Sequence, residues 1–337
     1  MVQNREGSFK EDHLLKTSDH SQKVAYLVVF LVFAIIPFIV ESQYIIQVLI
    51  LCGVNAILVI SLGLILGLSG QLSLAQVGFF GVGAYTSALL ACRLGISFWI
   101  GLPVATILSG IVGFLIGYPS LRLRGHYLAI TTLAFLLILY QIFLNWVSLT
   151  RGAMCLVGVP PITFFGIRDT TRIPYYYLIL VMTTVIIWVA VKISNSRVGR
   201  ALKAIREDEV AAQSLGIKTH YYKVRIFTIG AAMAGAAGSF FAHYMGSVAP
   251  ESFSLHPALN ILMMAIIGGL GSIFGSILGA IAFTILPEYL RVFAQYRLLI
   301  NGVIVILVIS FFPGGLVEIF KKLQGWWVKL KPIRANG

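Results

Sequence analysis

The sequence is short of charge. Only 11% of its 337 residues are Asp, Glu, Lys or Arg, against about 25% in an ordinary soluble domain. From Ser42 to Cys92 there is none at all, and Leu94–Leu121 is equally free of them. With 58% hydrophobic residues, too little polar surface remains to cover a water-soluble core, and the bilayer is the solvent that fits. Other absences exclude chemistries. No GxxxxGK[ST] phosphate loop is present, so the chain does not bind ATP in that way. Cys52, Cys92 and Cys155 form no CxxC pair and read as small packed hydrophobes. No nucleophile–base pair and no metal-type His cluster is visible, so no enzyme activity, metal or cofactor is expected. The apolar runs hold no embedded acid or base, which argues against a self-sufficient ion-coupled carrier. The first run ends Phe38-Ile39-Val40-Glu41, without the small residues of a cleaved leader, so it reads as a retained span.

What remains is a series of apolar runs. Val24–Val40 is the first. Ser42–Cys92 is long enough for two spans with room for a broken third. Leu94–Leu121, His126–Leu149 and Ile173–Val191 follow. Beyond a basic loop at residues 192–225 come Ile226–Met245, Ser252–Pro287 and Leu298–Val317. The fold class is an all-α polytopic membrane bundle.

The net charge is +13, and it gathers between the runs rather than along a stripe, so no nucleic-acid partner is implied. The tail 1–23 carries Arg5, Lys10, Lys16 and Lys23, and the tail 321–337 carries Lys321, Lys322, Lys329, Lys331 and Arg334. The loop carries Lys192, Arg197, Arg200, Lys203, Arg206, Lys218, Lys223 and Arg225, whereas Gly246–His256 carries Glu251 and no Lys or Arg. The positive-inside bias then puts both tails and the loop in the cytoplasm and Gly246–His256 outside. Three single spans after the loop would strand the basic C-terminal tail outside. Ser252–Pro287 is too long for one span and is interrupted by Gly268-Gly269-Leu270-Gly271-Ser272. Breaking it into two shorter helices gives about ten membrane segments. The segment between Leu149 and Pro174 is placed outside despite Arg151, Arg168 and Arg172, and Gly158 with Pro160-Pro161 marks it as an ordered loop.

Small residues recur at helix-packing intervals. Gly271, Gly275 and Gly279 read as one face, as do Gly113 with Gly117 and Ala231 with Gly235. Gly67–Gln76 is different. It sets Ser69, Gln71, Ser73 and Gln76 in a charge-free region beside helix-breaking glycines. Such groups either satisfy one another between helices or line a wet pathway. Asn55, Thr131 and Thr132 join them as candidate pathway residues.

The loop has helical propensity from Ala201. On a continuous helix Ala201, Ala204, Ile205, Ala212 and Leu215 share a face. Asp208 suits the cap of a second short helix, and Gly216 suits a stop. The segment either connects spans in solvent or receives a partner protein.

Val210-Ala211-Ala212-Gln213-Ser214-Leu215-Gly216 resembles the Glu-Ala-Ala-x-x-x-Gly signature of ABC importer permeases, with Val210 in place of the glutamate. Gly199–Gly238 is similar to the branched-chain amino acid permease family, as are Gly70–Gln76 with Phe79–Tyr85, and Gly268–Ser272. Leu123–Leu133 resembles the longer of that family's two paired permease subunits. The resemblance runs in order from about Asn55 to Leu290. It departs at Thr150–Pro160, where Cys155 and Val157 replace an expected glycine and proline.

The resemblance implies an ABC importer permease at residues 24–320, multi-pass in a bacterial inner membrane. Its implied partners are a second permease, two ATPase subunits and an external (periplasmic) binding protein. The implied ATPase-coupling residues are Ala201, Ala204, Ile205, Asp208, Glu209, Ala211, Ala212, Leu215 and Gly216. The implied cargo is a branched-chain or related amino acid. Urea and short-amide permeases share much of the pattern, and a secondary carrier or channel is the rival outside the family.

Overall fold

In the computed structural model of the chain, the described residues are 33, 35–37, 42–123, 125–163, 172–269, 271–289 and 302. The tails 1–23 and 321–337 lie outside them, as do nearly all of Val24–Val40 and Leu298–Val317. Among the described residues six helices are long and apolar enough to cross a membrane, and two shorter apolar helices accompany them.

The long helices are α1 (Gln43–Ser69), α2 (Gln76–Leu94), α3 (Phe98–Ser120), α4 (His126–Asn145) and α5 (Ile173–Asn195). Two loop helices follow, α6 (Arg197–Glu207) and α7 (Glu209–Ser214), and then the sixth long helix, α8 (Thr219–Met245). The shorter pair is α9 (Leu255–Gly268) and α10 (Ile273–Tyr289). The expected split of Ser252–Pro287 is present. Gly269, Gly271 and Ser272 lie between α9 and α10, with φ of +106° at Gly269 and +89° at Gly271. Backbone at those angles suits glycine because it has no Cβ to clash.

Helix α8 is the hub, packing on α1, α2 and α3. In its most apolar stretch 72% of residues are buried, against 22% in α4 and 17% in α5. Small residues make this possible. A Cβ on Gly238 would overlap the Phe80 carbonyl, and one on Gly83 would overlap the backbone of Gly235. Gly113 meets Ala231 and Gly117 meets the Phe227 ring. Without a hydrophobic drive between helices in lipid, this close contact supplies the packing energy.

The third glycine series differs from the sequence reading. Gly275 and Gly279 of α10 do face Gly268 and Met264 of α9, but Gly271 sits in the turn and packs on Gly67 of α1. The cysteines differ too. Cys52 is buried, whereas Cys92 is exposed and Cys155 is half-buried with φ +58°.

The basic loop is shorter than 192–225. Helix α5 runs on to Asn195 and α8 starts at Thr219, so Lys192, Lys223 and Arg225 belong to helix ends. Lys192 Nζ lies 4.3 Å from the Trp188 ring centroid, Arg225 3.9 Å from that of Tyr221, and Arg122 5.4 Å from that of Tyr118. Each cation stacks on an aromatic one helical turn before it. Such pairs suit the depth where hydrocarbon gives way to headgroups.

The opposite end carries an ordered loop, as Gly158 and Pro160-Pro161 suggested for its described part. Strand β1 (Leu156–Val157) pairs antiparallel with β2 (Ser247–Val248), Leu156 opposite Val248. Arg93 of α2 donates to the carbonyls of Ser148 and Leu149. His243 Nδ1 lies 2.8 Å from the Pro160 carbonyl, and its Nε2 lies 2.9 Å from Ser87 Oγ. A carbonyl only accepts, so Nδ1 carries the proton and Nε2 accepts from Ser87. Ser239 Oγ then donates to Ser87 Oγ at 2.8 Å. This chain ties the loop to α2 and α8.

Candidate functional site

Two features lie together at the loop end of the bundle: a braced pair of short helices, and the breaks in two membrane segments.

The short helices are separated at Asp208, as the sequence suggested. Ser196 caps α6, its Oγ accepting from Gly199 N. Asp208 Oδ1 accepts from Val210 N at 2.8 Å and Ala211 N at 3.0 Å, capping α7. At the other end Gly216 N donates to the Gln213 carbonyl and Ile217 N to that of Ala212. With Gly216 at φ +82°, this is a Schellman stop. Glu209 accepts from Lys223 Nζ of α8 at 2.7 Å, and Gln213 Nε2 donates to Thr219 Oγ1. These two contacts brace α7 against α8.

The single-face reading holds for Ala201, Ala204, Ile205 and Ala212 and fails at Leu215, which lies just past the end of α7. Ile205 and Ala212 are buried with Leu202 against the bundle, and Ala201 and Ala204 are half-buried. Leu215 points away and is 81% exposed; Val210 and Ala211 are exposed with it. Of the coupling residues expected from sequence, the outer apolar surface holds Ala211 and Leu215. Asp208, Glu209 and Gly216 shape it, and Ile205 and Ala212 anchor it from behind.

The break at residues 70–75 lies beside this pair. Helix α1 ends at Gly70, φ +68°. Helix α2 does not begin level with that end: Gln76 Oε1 accepts from Ser61 Oγ at 3.3 Å. Ser61 precedes Ser69 by about two turns, or roughly 12 Å of helix. The connecting chain therefore climbs back into the bundle before α2 starts. Leu74 N donates to Thr132 Oγ1 at 3.2 Å, and Ala75 N to Ser73 Oγ. Ser73, Gln76 and Thr132 are thus gathered at the break. Gln71 is 4% exposed, and neither its Nε2 nor its Oε1 has a hydrogen-bond partner among the described residues; the same holds for Gln76 Nε2. A buried, unpartnered amide is costly. The other candidates lie elsewhere. Asn55 donates to Thr284 of α10, Ser69 to Ile65 of its own helix, and Thr131 to Tyr127 on α4.

Arg206 joins the two features. Its Nη1 donates to the Gly67 carbonyl at 2.6 Å, its stem packs on Gly70, and the same nitrogen faces Gly271. Helices α1 and α9 both end here, and a cation suits the negative ends of their dipoles. In the sequence Arg206 is one loop charge among many. The signal available was its place in the Gly199–Glu207 block.

The family described as branched-chain amino acid transport system, permease component, matches residues 44–309. The chain belongs to this family. High-affinity branched-chain amino acid transport system permease protein LivM of Escherichia coli K12 is 37% identical, covering 93% of this chain and 78% of that one. The LivH permease of the same strain is 27% identical over 78% of this chain and 90% of its own. A probable LivM of Methanocaldococcus jannaschii is 24% identical over 64% of this chain and 67% of that protein. No solved structure matches. The identity to LivM places the chain with the longer permease of the family. The long helices fit a multi-pass membrane protein.

Proposed function

We propose that this permease is the membrane subunit of an ATP-driven importer of branched-chain amino acids. It works with a second permease, two ATPase subunits and an external binding protein, and its two tails and basic loop face the cytoplasm. The observation that carries the reading is the α6–α7 pair braced on the bundle. It offers Val210, Ala211 and Leu215 outward and holds Arg206 on the ends of two membrane helices. Closure of the ATPases would push the pair. The push would reach Gly67 and the break at 70–75 through Arg206, and so move Gln71, Ser73, Gln76 and Thr132 between packed and wet states. The relatives' names support the cargo.

The test uses vesicles holding the permease with its partners. Leu215→Glu with Ala211→Trp should abolish co-purification of the ATPase and ATP-driven leucine uptake. Uptake by the permease alone on an ion gradient, indifferent to ATP, would sink the reading. Uptake of urea in preference to leucine would correct the cargo.

A further inference from the structure

On the outer face of the bundle, at the loop end, α3, α5 and α8 enclose a groove of about 630 Å³. Its floor is apolar: Phe114, Trp188, Val189, Ile193 and Ile229. Its rim is cationic: Lys192 and Arg225 both line it, and both are exposed. Among the described residues no Asp or Glu lines it. Each cation also rests on an aromatic ring of its own helix. Ser196, the cap of α6, closes the loop-side edge.

We propose that this groove is a binding site for an anionic phospholipid. The phosphate would sit between Lys192 Nζ and the Arg225 guanidinium, and an acyl chain would lie along Phe114, Val189 and Ile229. The depth is right. Lys192 is in the last turn of α5 and Arg225 in the second turn of α8, at the level where headgroups meet hydrocarbon. The charge is right, because two cations in a low-dielectric rim with no carboxylate attract a phosphodiester. The shape is right, because an apolar floor beneath a charged rim matches a molecule with a charged head and an apolar tail. A free phosphate ion would satisfy the rim and leave the floor unfilled. The proposal needs the chain to be in a membrane and does not depend on what it transports.

The experiment is native mass spectrometry of the full-length permease released from nanodiscs of phosphatidylcholine and phosphatidylglycerol in equal amounts. The wild type should retain phosphatidylglycerol selectively. Lys192→Gln with Arg225→Gln should cut that selectivity by on the order of tenfold, in keeping with the loss of two interfacial cations. Phosphatidylcholine retention should not change. Equal selectivity in the variant overturns the proposal, as does displacement of the lipid by millimolar inorganic phosphate. If the variant fails to insert, a photoactivatable phosphatidylglycerol is cross-linked to the wild type. Adducts on α3, α5 and α8 near residues 114, 189 and 229 support the site, and adducts confined to other helices overturn it.

Discussion

Arg206 Nη1 donates to the carbonyl oxygen of Gly67 at 2.6 Å, across 139 residues of sequence. One end of this bond lies on the helix pair proposed to meet the ATPase. The other is the last turn of a membrane helix, just before that helix breaks. A carbonyl there has lost its own helical donor, so a guanidinium is both hydrogen-bond partner and counter-charge.

Arg206→Gln should therefore uncouple the machine rather than dismantle it. A hydrogen bond to a charged group contributes roughly 1.5–3 kcal/mol. Uptake per ATP hydrolysed should fall by roughly tenfold, within the usual range of coupling energies. Arg206→Lys should recover part of it, since lysine keeps the charge without the planar fork. The measurement is parallel leucine uptake and phosphate release in vesicles. An unchanged ratio would remove Arg206 from the coupling route.

Gln71 tests whether the break is a pathway or mere packing. Its amide is buried without a partner among the described residues. Gln71→Leu should raise thermal stability by about 1–2 kcal/mol, because an unsatisfied group is removed, while lowering uptake. Gained stability with full uptake would assign the residue to packing alone.

The glycines of the hub set a steric prediction. Gly83→Ala and Gly238→Ala each push a Cβ into facing backbone. Each should cost about 1–3 kcal/mol, as overpacking does, and lower the midpoint of thermal unfolding in detergent. Gly110→Ala should be tolerated in the same assay, because its Cβ would meet Ala232 at 3.4 Å, ordinary contact.

The chain from Ser239 through Ser87 and His243 to Pro160 predicts a local effect. Ser87→Ala leaves His243 Nε2 buried without its donor and should cost about 1–3 kcal/mol. Limited proteolysis should then cut faster within residues 155–163, with the loop end unaffected. Uniformly faster cutting at both ends would show that the chain does not act on this loop in particular.

The loop helices were the most legible part of the site. Asp208 as a cap and Gly216 as a stop are local chemistry, and both act within four residues of themselves. The split at Gly268–Ser272 was legible because a span of known thickness sets a length, and glycine marks the break. The face of the loop was legible except at its end. A period of 3.6 predicts one stripe only while the helix continues, and α7 stops at Ser214, so Leu215 just beyond it faces outward while Ile205 and Ala212 are buried.

The membrane helices gave little more than their extents, for a related reason. Inside a bundle and against lipid the surroundings are equally apolar, so the sequence carries no amphipathic stripe to tell them apart. Composition, charge distribution and glycine placement alone determined that this chain belongs in a bilayer and where its described helices break. Only the tertiary structure decided what meets at the breaks. Arg206 with Gly67, Ser61 with Gln76, Leu74 with Thr132 and Ser87 with His243 are contacts between distant positions. No local periodicity encodes such pairs; close packing of the helices creates them.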